Sequence, residues 1–196
     1  MTDVTPDLAL GRAKKQLRAR ILKQRRKAHA VWRTRGVLRN AMALRADWRG
    51  CRIAIFASFG TEVDPDWLVR TLTRRGAIVG LPVVAAPQTP LVFRRFGPGI
   101  RFEVSAFGIR EPGPRVPTMR PEIVLMPLVG IDRRGRRLGY GGGFYDRTIQ
   151  AWRNRGHRPL LVGIAYETQY VPEVPTGSHD QVLDMLVTET AIRRFR

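Results

Sequence analysis

The sequence predicts an α/β domain in which helices cover both faces of a mostly parallel sheet. Strand-sized apolar runs alternate with segments of helical periodicity along most of the chain. This order favours parallel strands joined by crossover helices. With 196 residues, 43% of them hydrophobic, the chain can bury one substantial core. We therefore expect a single domain over residues 1–196, with its site beyond the carboxyl ends of the strands.

A long helix is predicted at the start of the chain, over about residues 6–35. Thr5 is a favourable helix cap, and Pro6 suits the first turn. Apolar side chains then recur at helical spacing, and Lys14 falls within this apolar stripe. Arg18 lies four residues later, so an anion docked against the helix would meet both cations. The alternative is that Lys14 reaches solvent and Arg18 forms an ordinary ion pair.

The middle and end of the chain continue the alternation of strands and helices. Gly36 is expected to separate the first helix from a second. Asp64 and Pro65 are typical of a helix cap and first turn, whereas a proline- and glycine-rich stretch further on indicates a long loop. The expected helices are 37–48, 64–75 and 144–155. The expected strands are 51–59, 77–84, 91–96, 123–129, 160–165 and 184–188, of which 91–96 is expected at an edge of the sheet and 184–188 is the last. Loops are expected at 98–121 and 171–177.

The most informative segment is PLVGIDRRGRRLGYGGGFYDR, residues 127–147, at a predicted strand-to-helix junction. Its glycines lack Cβ atoms, so backbone N–H groups can turn toward an anion at the start of the following helix. The segment matches neither GxxxxGK(S/T) nor GxGxxG, because Phe144 replaces the last glycine. On the glycines alone, a plain surface turn is an equal alternative. Arg136 and Arg137 before the loop, and Asp146 after it, favour a phosphate and a hard cation.

Composition narrows the class of protein. Lys and Arg number 35 against 16 Asp and Glu, a formal charge of +19, which fits a solvated basic surface, steering of an anionic substrate or nonspecific nucleic-acid binding. The lone Cys51 excludes an internal disulfide and a cysteine metal site. Apolar runs are far shorter than the ~20 residues of a membrane helix, and the first residues are polar. We expect a cytoplasmic protein without a membrane partner.

Residues 137–146 closely resemble the signature of the 5-formyltetrahydrofolate cyclo-ligase (5,10-methenyltetrahydrofolate synthetase) family, which consists of RLG, a glycine-rich turn, two aromatic residues and Asp. Individually weaker matches follow the order of that family along nearly the whole chain: Lys14-x-x-Leu17-Arg18, Glu62-Val63-Asp64, Leu81-Pro82-Val83, Phe107-Gly108-Ile109, Glu111-Pro112, Gln169, His179-Asp180, Asp184 and Thr188-Glu189. The resemblance implies a three-layer sandwich. It also implies closure of 5-formyltetrahydrofolate to 5,10-methenyltetrahydrofolate that requires ATP and Mg²⁺, releases ADP and phosphate, and proceeds through phosphorylation of the formyl oxygen.

The resemblance also implies roles for individual residues. The implied ATP-binding residues are Lys14, Arg18, Arg137, Leu138, Gly139, Tyr140, Gly141, Gly142, Gly143, Phe144 and Tyr145. Glu62 is implied to bind the pterin, with Tyr140 and Phe144 as ring surfaces; Asp146 and Asp180 are implied to hold Mg²⁺, with Asp184 in reserve. Arg137, Tyr145 and Lys14 are the expected catalytic residues. Phe144 stands where many relatives have Tyr, so the hydroxyl would come from Tyr145.

Each of these residues also has an ordinary structural explanation. Asp146 can be an acid at a helix start, Asp180 a loop cap and Glu62 an exposed turn acid. A noncatalytic nucleic-acid or polyanion-binding protein on the same scaffold is the alternative function. A weaker third possibility is an α/β cleft for another anionic ester, such as a coenzyme A thioester or a sugar phosphate. We expect a monomer.

Overall fold

The computed structural model describes residues 5–105 and 108–195, with side chains from residue 8 onward. Phe107, one of the residues on which the family resemblance depends, lies outside the described residues. The helices are α1 Thr5–Ala28, α2 Val31–Met42, α3 Asp66–Arg74 and α4 Phe144–Asn154, and the strands are β1 Arg52–Ala54, β2 Ile78–Val83, β3 Val92–Arg95, β4 Phe102–Val104, β5 Arg110–Pro112, β6 Ile123–Pro127, β7 Gly130–Ile131, β8 Arg137–Leu138, β9 Leu160–Ile164, β10 Met185–Val187 and β11 Ile192–Arg194.

A seven-stranded sheet organises the fold, in the order β11-β10-β9-β6-β1-β2-β3. The pairs from β10 to β2 are parallel, and the edge strands β3 and β11 are antiparallel to their neighbours. The predicted α/β class with a mostly parallel sheet is confirmed. Strand β3 also lies at an edge, as the 91–96 segment suggested.

Helices pack on both faces of this sheet. Along β1, Ile53 belongs to the cluster that α2 and α3 cover, whereas the next residue, Ala54, belongs to the cluster that α4 covers. This alternation follows from the strand, whose successive side chains point to opposite faces. Leu72 of α3 and Ile149 of α4 are almost fully buried on their respective faces. The three-layer arrangement therefore rests on apolar burial from both sides.

The predicted helix over residues 6–35 is confirmed as far as Ala28 and wrong beyond it, because the chain breaks between α1 and α2. Ala30 has an extended backbone (φ −152°, ψ 146°). The buried hydroxyl of Tyr166 lies 2.7 Å from Thr34 Oγ1 and 3.2 Å from His29 Nδ1, on either side of this break. The residue that hydrogen-bonds to both sides of the break is thus remote in sequence, so the local sequence pattern could not indicate the break.

Gly36 lies inside α2 rather than ending a helix. A Cβ added there would come within 3.0 Å of Glu189 Cβ. The glycine therefore lets α2 approach the turn between β10 and β11 closely. Helix α2 ends at Met42, earlier than the predicted stretch 37–48.

The predicted loop over residues 98–121 is also wrong in part, since it contains the antiparallel pair β4 and β5. Strand β11, after the predicted last strand, was missed as well. Its sequence, Ile-Arg-Arg, is largely solvent-exposed at the edge of the sheet, so it carries no apolar pattern. These short strands are stabilised by pairing with their neighbours rather than by side-chain burial.

Candidate functional site

Helix α1 packs on the loops that follow the carboxyl ends of β6 and β9. Its Ile21 is completely buried in a cluster with Val129, Leu138, Val171 and Val174. A Cβ on Gly130 would come within 2.5 Å of Ile21 Cδ1, so the glycine permits this close packing. The packing places the polar side chains of α1 against the segment that follows β8.

The turn between β7 and β8 is organised by Asp132, which is 1% exposed. Its Oδ1 accepts hydrogen bonds from the backbone N–H groups of Arg134 and Arg136, and its Oδ2 accepts one from Val174. The carboxylate thereby satisfies buried donors that would otherwise be costly. It fixes the hairpin from which the glycine-rich segment emerges.

The glycine loop, residues 139–143, connects β8 with α4. Gly141 (φ +106°) and Gly143 (φ +66°) have left-handed backbones, and Gly143 caps α4. Within the part of the chain that the structure describes, the backbone N–H groups of residues 140–143 donate no hydrogen bond. Unpaired N–H groups at a helix start favour an anion. The predicted strand-to-helix junction therefore has the features of an anion site.

Arginines hold the carbonyl side of this loop. Arg18 Nε donates to Gly139 O at 2.9 Å, and Arg147 Nη2 donates to Gly142 O at 2.6 Å. The Arg147 guanidinium also lies over the ring of Phe144, 5.2 Å from its centroid. With the carbonyl oxygens bound to arginines, the loop keeps its N–H groups available and carries positive charge around them.

Two cation–carboxylate pairs lie beside the loop. Lys14 Nζ is 2.5 Å from Asp180 Oδ2, and Arg137 Nη2 is 2.8 Å from Asp146 Oδ1. The backbone of Gln181, the residue after Asp180, binds the second pair, since its N–H donates to Asp146 Oδ1 at 3.0 Å and its carbonyl accepts from Arg137 at 3.2 Å. Each carboxylate predicted to hold the metal is thus paired with a cation predicted to bind phosphate.

A buried cluster lies on the other side of Tyr140. Glu62, expected as an exposed turn acid if it had no role, is 5% exposed. Its Oε2 accepts a hydrogen bond from Phe59 N–H at 2.8 Å, and its Oε1 lies 4.0 Å from Arg25 Nη1. Burial raises the pKa of Glu62, while the Phe59 N–H, the Tyr140 hydroxyl and Arg25 oppose that shift. The carboxylate is held as an acceptor in a largely dry environment.

Both tyrosines of the segment have raised pKa values, chiefly because of burial. The pKa of Tyr140 rises to about 12, with the Glu62 carboxylate adding to the effect. The pKa of Tyr145 rises for the same two reasons and is opposed by Arg137. Tyrosine hydroxyls are protonated at neutral pH, and these shifts extend that range further into alkaline pH, so both can act as hydrogen-bond donors. The Tyr145 side chain packs against the buried cluster that α4 covers.

A cavity of about 470 Å³ is lined on one side by Phe59, whose backbone N–H donates to Glu62. The rings of Phe59 and Tyr140 meet edge to face, 6.4 Å apart, at its border. Its walls come from the ends of β1 and β2, the start of α3, and the β4–β5 pair, and they include Phe56, Phe59, Leu81, Phe96, Phe102 and Ile109. Its volume and largely apolar walls suit a drug-sized ligand.

Not every residue singled out from the sequence belongs to this arrangement. Asp184 accepts a hydrogen bond from Leu161 N–H at the amino end of β9, the opposite edge of the sheet, so the reserve metal ligand is wrong. Gln169 donates to the carbonyls of Leu128 and Val129 and is structural. Leu138, predicted to bind ATP, is 2% exposed and packs in the buried cluster around Ile21, where it holds the start of the glycine loop.

Sequence reasoning missed Arg25 and Arg147. Arg25 is 3% exposed and contacts Glu62 and Tyr140. The sequence could have predicted that Arg25 faces the site, because it lies on the same helix face as Lys14, Arg18 and Ile21, at spacings of about three to four residues. The reach of Arg147 back to Gly142 depends on the left-handed Gly143 and had no comparable signal.

The described residues contain no cluster of three or more His, Cys, Asp or Glu side chains arranged for a metal. Asp146 and Asp180 each bind protein donors through one oxygen. Two carboxylates suit a Mg²⁺ ion that takes its remaining ligands from water and substrate phosphates. The donor set is therefore compatible with Mg²⁺, but only together with a phosphate ligand.

The solvent side of α1 carries a row of cations, which we call the basic face: Arg12, Lys15, Arg20, Lys23, Arg26 and Lys27. It lies away from the side of α1 that meets the glycine loop. In the described part of the chain, no helix is long and apolar enough to cross a membrane.

Comparison with known proteins identifies the family of this chain. A family model described as the 5-formyltetrahydrofolate cyclo-ligase family matches residues 11–189. The chain belongs to this family. A relative from Haemophilus influenzae, named 5-formyltetrahydrofolate cyclo-ligase, is 36% identical over 184 residues, which cover 89% of this chain and 97% of that protein. A relative of the same name from Escherichia coli K12 is 36% identical over 145 residues, 71% of this chain and 79% of its own.

A solved structure extends the comparison to the fold. The NMR structure of 5,10-methenyltetrahydrofolate synthetase from Aquifex aeolicus has a TM-score of 0.78 at 29% identity and covers 93% of each chain. The resemblance inferred from residues 137–146 is confirmed, as is membership of a family of ligases.

Proposed function

We propose that this chain is a single-domain 5-formyltetrahydrofolate cyclo-ligase that uses ATP and Mg²⁺ to form 5,10-methenyltetrahydrofolate. The proposal depends most on one observation. Tyr140, in the loop with unpaired backbone N–H groups, accepts a hydrogen bond from Arg25 beside Glu62, and its ring meets that of Phe59, which lines the cavity. An anion-binding loop and a folate-sized cleft are therefore adjacent. The cytoplasmic location and the monomeric state stay predictions.

The triphosphate of ATP is assigned to the glycine loop with Lys14, Arg18 and Arg137. Phosphate oxygens would accept hydrogen bonds from the free N–H groups of the loop, and α4 adds a favourable dipole. Lys14 and Arg137 are already positioned by Asp180 and Asp146. These are neutral pairs, so the protein can offer its cations to phosphate and its carboxylates to a metal ion without first burying unpaired charge.

Asp146 and Asp180 would hold Mg²⁺ through oxygens that the protein does not occupy. When bound, the ion would neutralise charge on the transferring phosphoryl group. Arg137, 7% exposed, has a fixed guanidinium, which provides positive charge in a site of low water content. Such preorganised charge is the main contribution a protein makes to phosphoryl transfer.

The folate is assigned to the cavity and to Glu62. The carboxylate would accept hydrogen bonds from the amino and ring N–H groups of the pterin, while Tyr140 and Phe144 would offer ring surfaces. The Tyr145 hydroxyl is protonated at neutral pH, as tyrosine ordinarily is, and burial raises its pKa further. It can therefore donate to the formyl oxygen or a phosphate oxygen near Arg137.

The chemistry then needs positioning more than a protein nucleophile. The formyl oxygen attacks the γ-phosphorus of ATP, and the bond to the leaving ADP oxygen breaks. Folate N10 next attacks the activated formyl carbon, forming the new C–N bond. The C–O bond breaks, phosphate leaves with the former formyl oxygen, and the N10 proton passes to phosphate or solvent. Holding the reacting groups in one cleft favours both steps.

A conversion assay tests this proposal directly. Purified protein with ATP, Mg²⁺ and 5-formyltetrahydrofolate should develop the near-ultraviolet absorbance of the methenyl product. Asp146→Asn should lose turnover, whereas Glu173→Gln, which changes a 75% exposed carboxylate paired only with Arg136, should not. A folded protein that gives no product over a range of pH values and divalent ions would refute the proposal.

A further inference from the structure

Arg25 contacts two different loops from its position near the end of α1. Its Nε donates to Thr61 Oγ1 at 3.0 Å, and its Nη2 donates to the Tyr140 hydroxyl at 2.7 Å. The guanidinium also lies over the Tyr140 ring, 5.6 Å from its centroid. The planar fork of arginine suits such simultaneous contacts, which one lysine nitrogen could not reproduce.

The third nitrogen of Arg25 faces Glu62. Nη1 is buried, has no hydrogen-bond partner among the described residues and lies 4.0 Å from Glu62 Oε1. Both side chains are only 4% exposed. The Tyr140 hydroxyl accepts from Arg25 Nη2, so the guanidinium contacts the glycine loop on one side and faces Glu62 on the other. Arg25 therefore connects the glycine loop with the carboxylate assigned to the pterin.

The glycine loop needs such an attachment. Gly139 and Gly141 flank Tyr140, and glycines have large backbone freedom that must be lost when the loop is ordered. Arg18 holds the loop at the carbonyl of Gly139, and Arg25 holds it at the next side chain. These two arginines lie on one face of α1, two helical turns apart.

We infer that Arg25 is a positioning residue that connects the glycine loop, which it holds at the Tyr140 hydroxyl, with the Glu62 carboxylate, so that the nucleotide and folate subsites are held in one arrangement. The effect of Arg25 on catalysis rests on the proposed function, whereas its effect on the loop does not. A movement of the loop on nucleotide binding is thereby transmitted to the carboxylate that faces the pterin.

Amide hydrogen exchange at the two ends of the glycine loop in the ligand-free protein tests the effect of Arg25 on the loop. Val129 N–H donates to Leu138 O at one end, and Arg147 N–H donates to Gly143 O at the other. Arg25→Met and Tyr140→Phe should each speed exchange at these two amides by about tenfold, the equivalent of one lost hydrogen bond. Arg26→Met is the matched control, because it removes the same charge from an exposed position of α1; exchange should stay at the wild-type rate. Unchanged exchange in both Arg25→Met and Tyr140→Phe would overturn the inference.

Steady-state kinetics test the effect of Arg25 on catalysis. Arg25→Met should raise the KM for both substrates, and the double variant with Tyr140→Phe should be no worse than Arg25→Met alone, since the two residues act in series. Additive losses would overturn the inference. If the wild-type protein shows no turnover but the exchange results hold, the proposed function fails and the coupling stands. If Arg25→Met does not fold, Tyr140→Phe, at a residue that is 43% exposed, carries the exchange test alone.

The pH profile separates this role from a merely structural one. The groups that act on the Glu62 carboxylate are Arg25 of α1, the Tyr140 hydroxyl of the glycine loop and the Phe59 N–H. Loss of the Arg25 cation should move the acid limb of kcat/KM for folate to higher pH, because the carboxylate loses a stabilising charge. Arg25→Lys should restore that limb without restoring slow exchange at the two ends of the loop. A limb that stays at the wild-type pH in Arg25→Met would contradict the proposal.

Discussion

The strongest single test concerns Arg137, whose guanidinium is buried beside the glycine loop. Arg137→Met keeps most of the apolar stem but removes the ion pair with Asp146 and the hydrogen bond to the Gln181 carbonyl. Removing one partner of a buried ion pair costs about 3–5 kcal/mol. Because the Asp146 side chain is 25% exposed and regains water, we expect about 2 kcal/mol. In a chain of this size, that corresponds to a fall in Tm of about 4–8 °C.

The effect on activity should be much larger than the effect on stability. Loss of a preorganised charge at the transferring phosphoryl group is expected to lower kcat about a thousandfold. Thermal unfolding followed by circular dichroism gives the first quantity, and the conversion assay below the melting temperature gives the second. Arg136→Met is the matched control, because Arg136 pairs only with the exposed Glu173, at 3.6 Å; Tm and kcat should hardly change. If Arg137→Met lost stability as expected but kept kcat within about tenfold of wild type, Arg137 would be structural and the assignment of the triphosphate would be wrong.

Gly143→Ala should lower the free energy of unfolding by about 1–2 kcal/mol, since φ of Gly143 is +66°. It should also weaken ATP binding in calorimetry, because the new Cβ would come within 2.6 Å of Arg147 Nη1. Gly139→Ala is the control: Gly139 has open space around it and no left-handed backbone, so the Tm should stay at the wild-type value, and equal melting of the two variants would contradict this reasoning. Glu62 has a raised pKa in the folded protein, so its ionisation opposes folding as pH rises through the window between the unfolded and folded pKa values. The stability of Glu62→Gln relative to wild type, measured by urea unfolding, should therefore improve from acid to neutral pH, and a trend in the other direction would show that Arg25 outweighs burial. Neutralising substitutions on the basic face of α1 should weaken RNA binding in fluorescence anisotropy and reduce its salt dependence, without changing cyclisation. RNA binding that persists at physiological salt in the unsubstituted protein would favour a dedicated nucleic-acid function.

The sequence alone predicted the sheet class and the glycine loop because both depend on local pattern. Strand-sized apolar runs identified β2, β6 and β9, and the glycine-rich junction identified the start of α4 at Phe144. Lys14 and Arg18 could be linked to one face of α1 because helical geometry relates residues four apart. Short or polar elements were missed, as β11 shows, because their stability comes from pairing with a neighbouring strand.

Tertiary contacts decided what the pattern left open. The break before α2 depends on Tyr166, the glycine inside that helix depends on the approach of Glu189, and the pairing of Lys14 with Asp180 joins residues far apart in the chain. The same holds for Arg25, whose polar partners lie on two remote loops. The sequence by itself thus predicted a phosphate-binding role for the glycine-rich segment and determined which strands can build a sheet. Only the folded chain determined which charged side chains pair, because burial and ion pairing depend on distances in space, which the spacing of residues along the chain does not determine.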